Sequence, residues 1–136
     1  MSKLVRWDVP FASAFYPSVL AVFETSTRLS EGKMQITISM SDGARYQVEC
    51  SSVLAFTCFD EGCAPKRWFS NAETEQVETC AYHCLESPWI KAYEGCQFDA
   101  TAQQIPLNHY LIYGGDNIVE FLCRYEPTVS KLANWT

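Results

Sequence analysis

The stretch KMQITISMSDGARYQVEC, residues 33–50, constrains the fold more than any other part of the chain. Met34, Ile36, Ile38 and Met40 alternate with Gln35, Thr37 and Ser39, and beyond the turn Tyr46, Val48 and Cys50 alternate with Arg45, Gln47 and Glu49. A period of two marks strands with one dry and one wet face. Residues opposed across a hairpin point to the same side of the sheet, so the loop length follows from the pattern. A two-residue Asp42-Gly43 turn would set Ile38 against Gln47 and Ile36 against Glu49, burying polar groups. A three-residue loop, Ser41 to Gly43, sets Ile38 against Tyr46, Ile36 against Val48 and Met34 against Cys50. It also places Gly43 where such hairpins need a left-handed residue.

A second hairpin is expected in HYLIYGGDNIVEFLC, around Gly114 to Asn117. Pairing Tyr113 with Ile118 aligns Ile112 with Val119 and Tyr110 with Phe121 on one apolar face. The other face carries His109, Leu111, Tyr113, Ile118, Glu120 and Leu122, a mixture that predicts only partial cover. SVLAFTCF reads as a strand covered on both sides, or as a continuation of the preceding strand past a bulge. PSVLAVFETSTRL is similar in composition and would equally suit a short helix; it is read as a strand. ESPWIKAYEG opens with Ser87 as a cap and Pro88 at the first helical position and closes with Gly95, which specifies a short helix. Trp89 and Tyr93, at helical spacing, are expected to pack it onto the sheet.

No repeat or linker interrupts the chain, and 136 residues suffice for one core. The fold class expected is α+β and β-rich: one domain, residues 1–136, with a curled antiparallel sheet, barrel-like or sandwich-like, of about six to eight strands. One short helix is expected near residues 88–94.

A hydrophobic share of 48% supports a stable globular fold. Ten basic against sixteen acidic residues give a net charge of −6, which repels nucleic-acid phosphates and anionic lipid, so neither is an expected partner. Asp8, Pro10 and Pro17 break up the amino terminus before a signal-peptide core could form, and no run approaches the ~20 apolar residues of a membrane span. A cytoplasmic location is expected. The seven cysteines are odd in number and lack an export signal, so they read as reduced, mostly buried thiols.

Cys58, Cys63, Cys80, His83 and Cys84 are the candidate metal ligands. Two thiolates on one zinc ion lie under about 4 Å apart. A helix would allow Cys80 and Cys84 to meet. On a strand the same four steps span about 13 Å and His83 points to the opposite face. Because ESPW starts its own helix and the residue before a proline avoids helical angles, the span from Val77 to Leu85 reads as extended. No cofactor is therefore expected, and a zinc-stabilised module stands as a rival.

For acid–base chemistry the candidates are His109 and Glu120, diagonal on one sheet face, with Tyr113. Cys123 should point away from His109. There is no phosphate loop, nucleophile elbow or paired-histidine zinc motif. Between residues 60 and 86, Asp60, Glu61, Glu73, Glu75, Glu78 and Glu86 face only Lys66 and Arg67. Asp60, Glu61, Glu73, Glu75 and Glu78, with Trp68 as an aromatic anchor, form the candidate partner-binding set. The expected function is a non-catalytic, cytosolic protein-binding domain for a basic partner. The alternatives are a small-molecule-binding β-barrel carrier and an enzyme using His109 and Glu120. An unprotected strand edge would also allow a homodimer.

The succession of the Asp42-Gly43 hairpin, a strand ending in DEG, SPWIKAY and NHYLIYGGDNIVEFLC resembles small, mostly uncharacterised bacterial single-domain proteins, some regarded as toxin antidotes. The likeness is one of pattern, from about Gln35 to Val129, and carries over no active residue. It implies an immunity-type antidote that binds a basic toxin through the acidic stretch.

Overall fold

The computed structural model describes residues 3–13, 17–25, 33–60, 73–74, 79–92, 106–115 and 117–133. Their strands are β1 (Lys3–Arg6), β2 (Ser18–Thr25), β3 (Lys33–Ser39), β4 (Arg45–Ser51), β5 (Val53–Asp60), β6 (Glu73–Thr74), β7 (Ala81–Leu85), β8 (Asn108–Tyr113), β9 (Asn117–Cys123) and β10 (Thr128–Leu132). The described residues hold one helix, α1 (Pro88–Lys91), which follows β7.

The alternation in residues 33–50 produces the hairpin it demands. Met34 pairs with Cys50, Ile36 with Val48 and Ile38 with Tyr46. Met40 N–H donates to Ala44 and Gly43 N–H to Met40, closing the three-residue loop, with Gly43 at φ +89°. The second hairpin also holds its expected register, Tyr113 opposite Ile118 and Tyr110 opposite Phe121. PSVLAVFETSTRL supplies β2, which pairs with β3.

The strands form a four-stranded sheet, β10-β4-β3-β2, and a six-stranded sheet, β5-β9-β8-β7-β1-β6. Every pairing is antiparallel except β1 with β6. Among the described residues no barrel closes: β10, β2, β5 and β6 are the edge strands of the two sheets, and ten strands are described. The apolar faces of the two sheets share one cluster. Met34, Ile36, Ile38, Val48 and Cys50 meet Tyr110, Ile112, Val119, Phe121 and Cys123. Trp7, Val9, Phe11 and Ala12, beyond β1, join this cluster, and Trp7 tilts against Tyr110 at 4.6 Å between ring centroids. Face-to-face burial of this kind is the arrangement of sandwich-like domains.

Three expectations are corrected. β5 neither continues β4 nor lies covered on both sides: Ser52, at φ +54°, turns the chain out of one sheet, and β5 enters the other as an edge strand. Its bulge lies within it, between Val53 and Ala55. The helix is a single turn ending at Lys91 rather than near residue 94; Tyr93, Glu94 and Gly95 lie outside the described residues. The mixed face of β8 and β9 is not half open. His109, Leu111, Ile118, Glu120 and Leu122 are all fully buried. Among the described residues no helix is long and apolar enough to cross a membrane.

Candidate functional site

The face of the six-stranded sheet turned away from the other sheet holds the one buried polar cluster seen among the described residues. Register builds it. Cys84 on β7 sits opposite His109 on β8, which sits opposite Leu122 on β9. Leu111 faces Glu120, and Thr57 on β5 faces Glu120 from the other side. Since side chains on a pleated sheet alternate, Cys84, His109, Glu120 and Thr57 share this face.

Ser87 completes the cluster. It caps α1, its side chain accepting the Ile90 N–H at 3.2 Å, and its Oγ lies 2.7 Å from His109 Nδ1. The imidazole Nε2 is 3.4 Å from Glu120 Oε1. With Oγ accepting from Ile90, the serine O–H is best read as donating to Nδ1, which puts the single imidazole proton on Nε2, toward the carboxylate. Neither Glu120 oxygen has a hydrogen bond among the described residues, nor does Thr57 Oγ1. A lone buried carboxylate is costly, and among the described residues the His109 imidazole is the side chain within ion-pair distance of Glu120. Trp89 sets its ring edge-on against His109 at 5.2 Å.

Serine, imidazole and carboxylate in series is the order of a nucleophilic relay. Two facts separate this series from a working one. The Ser87 oxygen already receives the Ile90 N–H, and Ser87, His109 and Glu120 are 3%, 0% and 0% exposed, so no substrate reaches Oγ in this conformation. As it stands, the series fastens the turn after β7 to the sheet. Tyr113, the third acid–base candidate, stands four positions from His109 on β8 and meets Tyr82 edge-on at 5.9 Å instead.

The candidate metal ligands are scattered. Residues 81–85 are extended as expected, while residues 75–78 and Cys63 lie outside the described residues. Cys80 packs in the cluster between the sheets, its Sγ donating to Phe11 O at 3.2 Å, whereas Cys84 belongs to the outer cluster with Leu4 and Leu111. His83 stacks on Tyr110 at 4.8 Å, and Cys58 is exposed on the edge strand. Among the described residues no group of three His, Cys, Asp or Glu side chains is placed to hold a metal ion. Burial pushes the thiols of Cys80 and Cys84 up to about 11 and that of Cys123 to about 12, and raises that of Cys50 as well, all away from the thiolate form that metals and electrophiles require.

Of the partner-binding set, Asp60 ends β5 and Glu73 begins β6, at opposite edges of the same sheet. Glu61, Trp68, Glu75 and Glu78 lie outside the described residues. A half-open groove of about 350 Å³ runs past the ends of β3 and β4, lined by Lys33, Gln35, Glu49, Glu126 and others. Its lining is more polar than apolar.

Sequence reading recognised Ser87 only as a cap and passed over Thr57. The cap motif was a visible signal. Its partner was not, because nothing local says that β7 pairs with β8. No protein family, curated protein or solved structure matches this chain.

Proposed function

We propose that the chain is a non-catalytic binding domain that acts by contact with a basic protein, through the acidic stretch from Asp60 to Glu86. The observation that carries this reading is where that stretch is anchored. Asp60 closes the strand at one edge of the six-stranded sheet and Glu73 opens the strand at the other, so acidic positions mark both margins. Six acidic and two basic residues fall between positions 60 and 86. Such a charge excess steers a cationic partner and raises its association rate, an effect that weakens with salt.

The sealed Ser87–His109–Glu120 series supports the non-catalytic part of the reading, since the acid–base couple holds a turn in place rather than facing a substrate. The narrower form of the proposal is a cytoplasmic antidote whose partner is a basic toxin, following the resemblance in SPWIKAY and HYLIYGGDNIVEFLC.

The test is affinity capture from the native cell at low ionic strength, set beside a variant carrying Glu61→Gln, Glu73→Gln, Glu75→Gln and Glu78→Gln. A basic protein retained by the natural chain, released by salt and bound roughly tenfold or more weakly by the variant is the expected result. A partner that binds both chains equally well would end the proposal.

A further inference from the structure

The corner where the chain passes from one sheet to the other is flanked by two cysteines. Ser51 ends β4 and Val53 begins β5, with Ser52 at φ +54° between them. Two residues of chain reach at most about 7 Å, so the two sheets approach here more closely than the ~10 Å usual for stacked sheets. Cys50 lies on β4 immediately before this step, and Cys123, the last residue of β9, pairs with Val53 immediately after it. Antiparallel partners sit about 5 Å apart between α-carbons. Register and turn therefore bring Cys50 and Cys123 to the same corner from opposite sheets. Both belong to the apolar cluster between the sheets, at 2% and 0% exposure. They are also electrostatic neighbours, since burial, then Cys123 and Glu49, raise the Cys50 thiol above its ordinary value. The other described cysteines turn elsewhere. Cys80 donates to Phe11 O, Cys84 lies in the outer cluster and Cys58 is exposed on β5.

We propose that Cys50 and Cys123 are the site of an intersheet disulfide, made by exchange with a small-molecule disulfide as the chain folds, which ties β4 to β9 across this corner. Both are thiols in the structure. A disulfide spans about 4.4–6.8 Å between α-carbons, within the reach that the Ser51–Val53 step imposes on the sheets here. One cysteine thiolate attacks a sulfur of the small disulfide, forming a mixed disulfide and expelling a thiolate; the second cysteine thiolate then attacks the protein sulfur of that mixed disulfide and expels the other thiolate. The two protons lost by the cysteines end on the two released thiols, so one small disulfide is reduced as the pair is oxidised. Burial keeps both thiols protonated in the folded chain, which places the exchange in folding, before the corner closes. Closing the bond gives up the contact of Cys123 Sγ with Tyr125 O at 3.2 Å. It joins positions far apart in sequence and so restricts the unfolded chain. Cys50 also lines the groove past the ends of β3 and β4, so it is the sulfur that a reductant meets first.

The test maps disulfides in the whole chain. Reduced protein is unfolded and refolded in a glutathione redox buffer, then digested without reduction for mass spectrometry; a second sample is refolded with dithiothreitol. The expected result is a peptide pair joined through Cys50 and Cys123 as the main intramolecular disulfide of the first sample, absent from the second. The first sample should also unfold at a temperature higher by roughly 5–15 °C. Cys50→Ala and Cys123→Ala should each remove the linked pair and the gain in unfolding temperature. A chain folded in the glutathione buffer with both residues still thiols overturns the proposal, as does either sulfur joined to a different cysteine, or a linked chain that unfolds at no higher temperature. If the alanine variants do not fold, the mapping and the two melts of the natural chain decide by themselves. If the natural chain does not refold from full denaturation, it is held with oxidised glutathione in denaturant near its unfolding midpoint. The same linked pair is expected there, and its absence refutes the intersheet bond.

Discussion

The two faces of the six-stranded sheet are both dry, and they are dry for different reasons. The inner face buries Trp7, Tyr110, Ile112, Val119 and Phe121 against the second sheet, and its stability is that of apolar area removed from water. The outer face buries His109, Glu120 and Ser87 together with Leu4, Cys84 and Leu111. Apolar contact is additive and forgiving, whereas a buried charge depends on one specific partner. The inner face should therefore weaken in proportion to what is removed, and the outer face should fail or recover according to whether its groups remain matched.

That contrast can be broken most directly with single truncations. Phe121→Ala on the inner face should cost about 3–5 kcal/mol in denaturant unfolding, through lost burial and a residual cavity. His109→Leu should cost a similar ~3–5 kcal/mol, because it leaves Glu120 buried without its imidazole. The double change His109→Leu with Glu120→Leu sharpens the comparison. It should recover most of the loss and lie within about 1–2 kcal/mol of the natural chain, since a matched apolar pair replaces a matched polar one. A double variant no more stable than His109→Leu would show that the outer face is ordinary packing.

A smaller effect follows from the thiols. From the ordinary value of 9.0, burial raises Cys80 and Cys84 to about 11 and Cys123 to about 12. Above pH 9 the unfolded chain has released these protons while the folded chain still holds them, so the folded state binds more protons. Stability is full below pH 9 and falls as pH rises toward 11 and 12, by up to ~1.4 kcal/mol per pH unit for each thiol. Thermal melts between pH 8 and pH 11 measure it, and Cys84→Ala against Cys123→Ala divides the slope between the two faces.

On the acid side, burial and then the nearby His109 lower His83 from its ordinary 6.5, with Asn108 and Glu126 opposing. The unfolded chain then takes up this proton first, so stability present above pH 6.5 declines as pH falls. His83→Gln should flatten that decline. The least perturbing test is alkylation of the natural chain: Cys58, exposed on the edge strand, should react ahead of Cys50, Cys80, Cys84 and Cys123.

Much of the inner face was legible in the sequence. The alternation from Met34 to Cys50 and the pairing of Tyr110 with Phe121 follow from side-chain period and turn chemistry, and both registers stand as expected. Ser87 and Pro88 announced the start of α1, although its length fell short. The outer face was misjudged. His109 beside Glu120 looked half exposed because a polar residue on a strand usually is. The separation of Cys80, His83 and Cys84 was readable from strand geometry, but the placement of Cys80 in one cluster and Cys84 in another required the bend before β7.

By itself, the sequence determined the strands of the two hairpins, their registers and the capped turn, because each depends on residues within a few positions of one another. Only the tertiary structure decided that Ser52 sends the chain from one sheet to the other, and that Ser87 reaches His109 22 positions away. Hydrophobic burial drives collapse without direction, so alternation says which face is dry and not which strand lies beside it. The pairing of β7 with β8, which brings Ser87 to the His109 imidazole, is a matter of strand order that no local pattern encodes.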